Sequence, residues 1–189
     1  MQNKIVKTIT YSESRSLIKS GDIVFIKKTN HHSLLSSLIS KVITFFTGGK
    51  YYHVGIAMWM SSDNGTKRLF FVDANTGSRR IVPLSEYEGY GMTVIESPVY
   101  PEYYEDELLK KVGKIQYGYL DAMIIGLFER FEITNKHLDF SGECCSEMIT
   151  KMLNKGINHD KLPIMVSPNK LIQILIDRGH KIKFDIQGD

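Results

Sequence analysis

The period of the hydrophobic pattern changes part-way along the chain, and that change limits the folds open to it. Between Gly21 and Pro98 the apolar residues come in short extended runs, "GDIVFIKK", "YYHVGIAMWM", "RLFFVDAN", "RRIVPL" and "GMTVIESP". These runs are rich in β-branched and aromatic residues and are bounded by Gly, Asn, Asp and Pro, the composition of strands. After them, "EDELLKKVGKI", "YLDAMIIGLFERF", "ECCSEMITKMLNKG" and "SPNKLIQILIDRG" repeat their apolar residues at three and four, the spacing of helices. Strands first and helices after predict an α+β fold, with a central antiparallel sheet packed against helices.

Local signals place several boundaries. Ser12 or Ser14 is a candidate cap for a short helix over residues 12–20, and Gly21-Asp22 turns into a strand from Ile23 to Lys27. Asp63-Asn64-Gly65 marks a hairpin between the next two runs, so these should be antiparallel neighbours. With "SEYEGY" separating the two later runs, the centre of the chain reads as a meandering sheet. Ser167-Pro168 is a helix start, and Gly156 and Gly179 are helix stops. Leu34, Leu35, Leu38, Ile39, Val42, Ile43 and Phe46 line one side of an amphipathic helix that Gly48-Gly49 ends. Its polar face is serine and threonine with one lysine, unlike a basic interfacial helix, so core packing is its reading.

Composition removes several classes of function. At 189 residues the chain fits a single domain spanning 1–189, and 42% hydrophobic against 24% charged residues argues against long disorder. The net charge of +3 is scattered, with no basic run longer than pairs such as Lys27-Lys28 or Arg79-Arg80, so nucleic acid is not an expected partner. The longest apolar stretch, Ser33 to Gly49, is broken by serines and Lys41 and gives no stable membrane insertion. The start lacks the apolar core of a secretory signal, which makes a cytoplasmic location the expectation. Cys144 and Cys145 are adjacent, a spacing that strains a disulfide, and a reducing compartment fits. Neither C-x-x-C nor H-x-x-x-H spacing occurs, so no metal and no cofactor is expected.

Two features carry chemistry. His53 interrupts an otherwise apolar run, where it is either a hydrogen-bonded core imidazole or one member of a site. Cys144 and Cys145 fall in the first turn of a predicted helix, with Met148, Ile149, Met152 and Leu153 forming its apolar side. A helix N-terminus favours a thiolate, the nucleophilic form of cysteine, and its N–H groups can hold an oxyanion. The alternative is a pair of small buried hydrophobes.

Three segments, "GDIVFI", "YYHVGIAM" and "GKIQYGYLD" followed by "CCSEMI", resemble the NlpC/P60 superfamily of papain-like cysteine peptidases and amidases. The histidine precedes the cysteine here, which is the order of the circularly permuted, YiiX-like branch, related in arrangement to the lecithin:retinol acyltransferase-like enzymes. The resemblance runs from about Gly21 to Pro168 and implies a papain-like fold. It implies Cys145, directly before a serine, as nucleophile, with Cys144 as its neighbour near the substrate or oxyanion. It implies His53 as base and an acidic residue on the next strand as orienter, a place that Asp73 fills. Aspartate is shorter than the glutamate of that branch, and Asn75 is the fallback. Tyr117 matches a tyrosine whose hydroxyl lies near the nucleophile, with Tyr119 competing. His31, His32, His137, His159 and His180 lie in polar segments and read as surface or loop residues.

The implied activity is hydrolysis of an amide through a thioester, on a peptide or a peptidoglycan fragment. A lipid acyl hydrolase or acyltransferase on the same fold, acting on a lipid acyl substrate, is the competing enzyme, and a catalytically silent peptide-binding module is the non-enzymatic alternative. Nothing in the sequence fixes the oligomeric state.

Overall fold

The computed structural model describes residues 7–27, 49–61, 63–75, 78–114 and 143–188. The helix read over Ser33–Phe46, the helical run at 119–131, and Tyr117 and Tyr119 lie outside these residues, as do His31, His32 and His137.

In chain order the elements are β1 (Thr8–Ile9), α1 (Tyr11–Ser14), β2 (Ile23–Lys27), β3 (Tyr51–Ser61), β4 (Lys67–Asn75), β5 (Ser78–Pro83), β6 (Met92–Ile95), α2 (Glu105–Lys110), α3 (Cys145–Gly156), α4 (Pro168–Asp177) and β7 (Ile182–Ile186). The chain is α+β, and among the described residues there is one seven-stranded mixed sheet in the order β1-β7-β6-β2-β3-β4-β5. All pairings are antiparallel except the short parallel one between β1 and β7.

Only β2 to β5 form the expected meander. The chain leaves β5 at the rim and returns to the far side of β2 as β6, and β7 then adds beyond it after the helices. Neither β1 nor β7 was legible: two residues carry no period, and β7 owes its place to β6 and β1, both far back in the chain. The first helix also starts earlier than Ser12. Thr10 is its cap, because Glu13 reaches back to the Thr10 N–H at 2.9 Å in a T-x-x-E capping box.

Alternation of side chains divides the interior in two. Phe25, Val54, Ile56, Met58, Val72 and Ala74 face α3 and α4 and pack with Met148, Ile149, Met152, Leu171 and Leu175. Val24, Ile26, Ala57, Leu69, Phe71, Met92 and Phe184 face the other way, where the 3₁₀ turn Leu84–Tyr87 and Ile18 cover them. Both faces are dry, so β2, β3 and β6 read as continuous apolar runs rather than as half-polar strands.

Strand β3 breaks the alternation once. Ile26 pairs with His53 and Lys27 with Tyr51, which leaves Tyr52 as an extra residue in a β-bulge. Tyr51 and Val54 both join the helix-side core, while Tyr52 packs on the opposite cluster, and His53 sits between them. The start of the strand is fixed from α4: Asn169 Oδ1 accepts the Tyr51 N–H at 2.9 Å, and its Nδ2 donates to the Tyr51 carbonyl at 2.8 Å. Gly49 makes room for that amide, since a Cβ there would fall 2.0 Å from Asn169 Cγ.

Candidate active site

Helix α3 begins where the sequence predicts, but Cys144 is its cap rather than part of its first turn. Cys144 has extended backbone (φ −89°, ψ 167°) and its N–H donates to the Glu147 carboxylate at 3.4 Å. Its thiol is buried, 3.6 Å from Ser146 Oγ, and burial together with neighbouring Cys145 pushes its pKa upward. Cys144 is therefore a protonated thiol that helps start the helix, and its N–H is already committed.

Cys145 is the first helical residue, on the side of α3 that carries Ile149 and Met152 into the core. Its thiol lies near enough to the His53 imidazole to push that ring's pKa upward. On the other side of that ring, His53 Nε2 lies 2.7 Å from Asp73 Oδ2. With Nε2 given to Asp73, Nδ1 is the nitrogen left for sulfur. The structure thus brings Cys145, His53 and Asp73 together, with His53 hydrogen-bonded to Asp73 and all three side chains buried.

The short aspartate reaches because of register. Asp73 stands opposite Gly55, so its contact with His53 is the diagonal one across the β3–β4 pair. Phe71 fills the space above Gly55, where a Cβ would meet its ring at 2.5 Å, and packs edge-on against His53 with centroids 5.8 Å apart. Tyr52 and Tyr87 lie nearly parallel to the imidazole at 6.0 and 6.2 Å. Asn75, the fallback for the third position, stands at the end of β4 in register with Ser78, and Asp73 is the residue on the ring.

Two further residues complete the cluster and were not singled out from the sequence. Arg80, directly opposite Asp73 on β5, donates Nε–H to Asp73 Oδ1 at 2.8 Å and Nη2–H to Oδ2 at 3.1 Å. Tyr87 donates its hydroxyl to Asp73 Oδ2 at 2.9 Å and accepts from Arg80 Nη2 at 2.8 Å. The readable signal was alternation: in a β4–β5 hairpin one of Arg79 and Arg80 must face the same side as Asp73.

These contacts set the charges. Burial alone pushes the Asp73 carboxyl up, but His53 and Arg80 outweigh it and hold the group below the usual carboxylate value. Burial likewise opposes charge on His53, yet Cys145 and then Asp73 prevail and raise its pKa to about 10. Burial and the adjacent carboxylate push the Tyr87 hydroxyl upward, so it stays a donor. The arrangement favours an imidazolium held against the Asp73 carboxylate.

His159 and His180 lie in loops, the first exposed and the second half-buried. Among the described residues no group of three His, Cys, Asp or Glu side chains is placed to hold a metal ion, and no helix is long and apolar enough to cross a membrane. No protein-family model matches the chain, and no curated protein matches it.

Proposed function

We propose that this chain is a cysteine hydrolase of the permuted NlpC/P60, papain-like type, acting on an amide bond in a peptide or peptidoglycan fragment in the cytoplasm. The observation that carries the reading is the buried His53 imidazole bound to the Asp73 carboxylate, with Cys145 close enough to shift its pKa. A core histidine needs one partner to be satisfied; this one has a carboxylate on Nε2 and a cysteine from a helix start close by, which supports reading them as orienter, base and nucleophile.

In the proposed reaction the Cys145 proton passes to His53, and the thiolate attacks the substrate carbonyl carbon. His53 then returns the proton to the leaving amine as the C–N bond breaks, leaving a thioester on Cys145. Water, deprotonated by His53, attacks that thioester, and the carboxylic acid leaves with the thiol restored. Asp73 fixes which nitrogen faces sulfur and stabilises the imidazolium, as Arg80 and Tyr87 fix Asp73. Base catalysis of this kind contributes about 10²–10⁴-fold.

Alkylation by iodoacetamide between pH 5 and 9, with peptide mapping, tests the reading. Fast labelling of Cys145 below pH 7 that is lost in His53→Ala is the expected result. Labelling that tracks an ordinary thiol in both proteins would overturn it and leave the binding module.

A further inference from the structure

Strand β5 holds two consecutive arginines, and each grips a different half of the site. Arg80 shares a face with Asp73. Arg79 pairs with Ala74 and so points to the other face, toward the core that contains α3. There it is buried as completely as the core leucines, and two of its N–H groups converge on one oxygen of Glu143, Nη2 at 2.6 Å and Nε at 3.1 Å. Nη1 faces the Glu107 carbonyl of α2 at 3.5 Å, and the Arg79 carbonyl accepts the Gly113 N–H at 2.8 Å.

Glu143 is buried and lies two residues before Cys145, with the extended Cys144 between them. Two residues of extended chain span about 7 Å at most, so fixing Glu143 fixes where α3 can begin. An ion pair of this kind is a poor source of stability, because stripping water from both charges offsets most of their attraction. What it supplies is a fixed distance between the rim of the sheet and the helix start. The same strand, through Arg80, fixes Asp73 and hence His53.

We propose that the Arg79–Glu143 pair is a positioning device for the nucleophile, setting Cys145 against His53 from the strand that also sets Asp73. The inference rests on the hydrolase reading for its consequence and on the buried pair for its geometry.

The test is the double variant Arg79→Met/Glu143→Met, which replaces the pair by apolar groups of similar volume and is expected to keep cooperative unfolding near the wild-type midpoint. Two quantities are read: the rate of Cys145 alkylation at pH 6.5, and the His53 titration by NMR. Positioning predicts that alkylation slows at least about 30-fold and that the His53 pKa falls from about 10 toward the ordinary 6.5, as it loses the sulfur. Arg79→Lys, which keeps charge but not the two-pronged grip, should lie between. Wild-type rates and titration in a folded double variant would overturn the proposal while leaving the hydrolase reading intact. Slow alkylation in the wild type would sink the hydrolase reading, and the His53 titration would still decide the positioning. Should the double variant fail to fold, Arg79→Lys decides by the same two quantities: slower alkylation with a lowered His53 pKa supports the positioning, and wild-type values overturn it.

Discussion

Two buried aspartates are both pushed upward by burial, yet their net pKa shifts run in opposite directions. Asp22, at the turn into β2, is 3% exposed and receives two donors on one oxygen: Lys183 Nζ at 2.6 Å and the Lys19 N–H at 2.7 Å. Burial dominates there, and its pKa is raised. Asp73 is fully buried and receives four donors spread over both oxygens, from Arg80 twice, Tyr87 and His53, and its pKa is lowered. Desolvation is similar at the two positions, so the difference lies in the partners. One flexible lysine tethers a turn; a fork of guanidinium, phenol and imidazole holds a carboxylate in one orientation.

Substitution should separate the two most sharply. Asp73→Asn leaves Arg80 and His53 without their carboxylate in a dry site, a loss of about 3–5 kcal/mol, and Cys145 alkylation at pH 6.5 should fall at least about 100-fold with the His53 base misoriented. Asp22→Asn should cost about 1–2 kcal/mol through the weakened turn and leave alkylation within about threefold of wild type. Equal losses of alkylation in both variants would erase the distinction.

Acidity probes the same contrast next. The folded pKa of Asp73 lies below its unfolded value near 3.8, so below that pH the unfolded chain binds more protons. The stability Asp73 contributes is present above about pH 4 and is lost as pH falls. For Asp22 the folded pKa lies above 3.8, the folded chain holds the proton more tightly, and stability rises as pH falls through that window. Urea midpoints from pH 2 to 7 should therefore fall less steeply on acidification in Asp73→Asn than in wild type, and more steeply in Asp22→Asn. At the other end, His53 has a folded pKa of about 10 against an ordinary 6.5. Its contribution is full below pH 6.5 and lost as pH rises toward 10, so His53→Ala should flatten the alkaline decline.

Gly55→Ala tests the lane through which Asp73 reaches the ring. The added methyl must displace the Phe71 ring, costing about 1–3 kcal/mol as overpacking does, and alkylation should slow about tenfold. Tyr87→Phe should do least: it removes one of four donors to Asp73, about 1 kcal/mol, with alkylation slowed only a few-fold.

What the sequence made legible follows from locality. Strand β2, the β3–β4 hairpin and the start of α4 are written in neighbouring residues, with Gly65 at φ 78° in the turn and Ser167 capping Lys170 as its spacing suggests. Cys145, His53 and Asp73 could be named from motif order, and they stand together. Their supports could not: Arg80 needs the β4–β5 register, Asn169 reaches Tyr51 across 118 positions, and Glu143 reaches Arg79 across 64. The bulge at Tyr52 leaves no mark in a run of aromatics, because the pattern of sizes is unchanged by it. Sheet order escaped for the same reason, since nothing near β5 tells the chain to cross to the far side of β2.

Among the described residues strand β5 lies at the rim of the sheet, with β4 as its sole neighbour in the ladder. Rim strands open at lower free energy than the centre, in brief local excursions that leave the rest folded. Here one such excursion frees Arg79 and Arg80 together, and with them both halves of the site. Heat should accordingly extinguish the reactivity of Cys145 some degrees before the sheet melts, and amide exchange along β5 should keep time with that loss. The reactivity of Cys145 then lasts only as long as one rim strand stays paired, whatever the stability of the core.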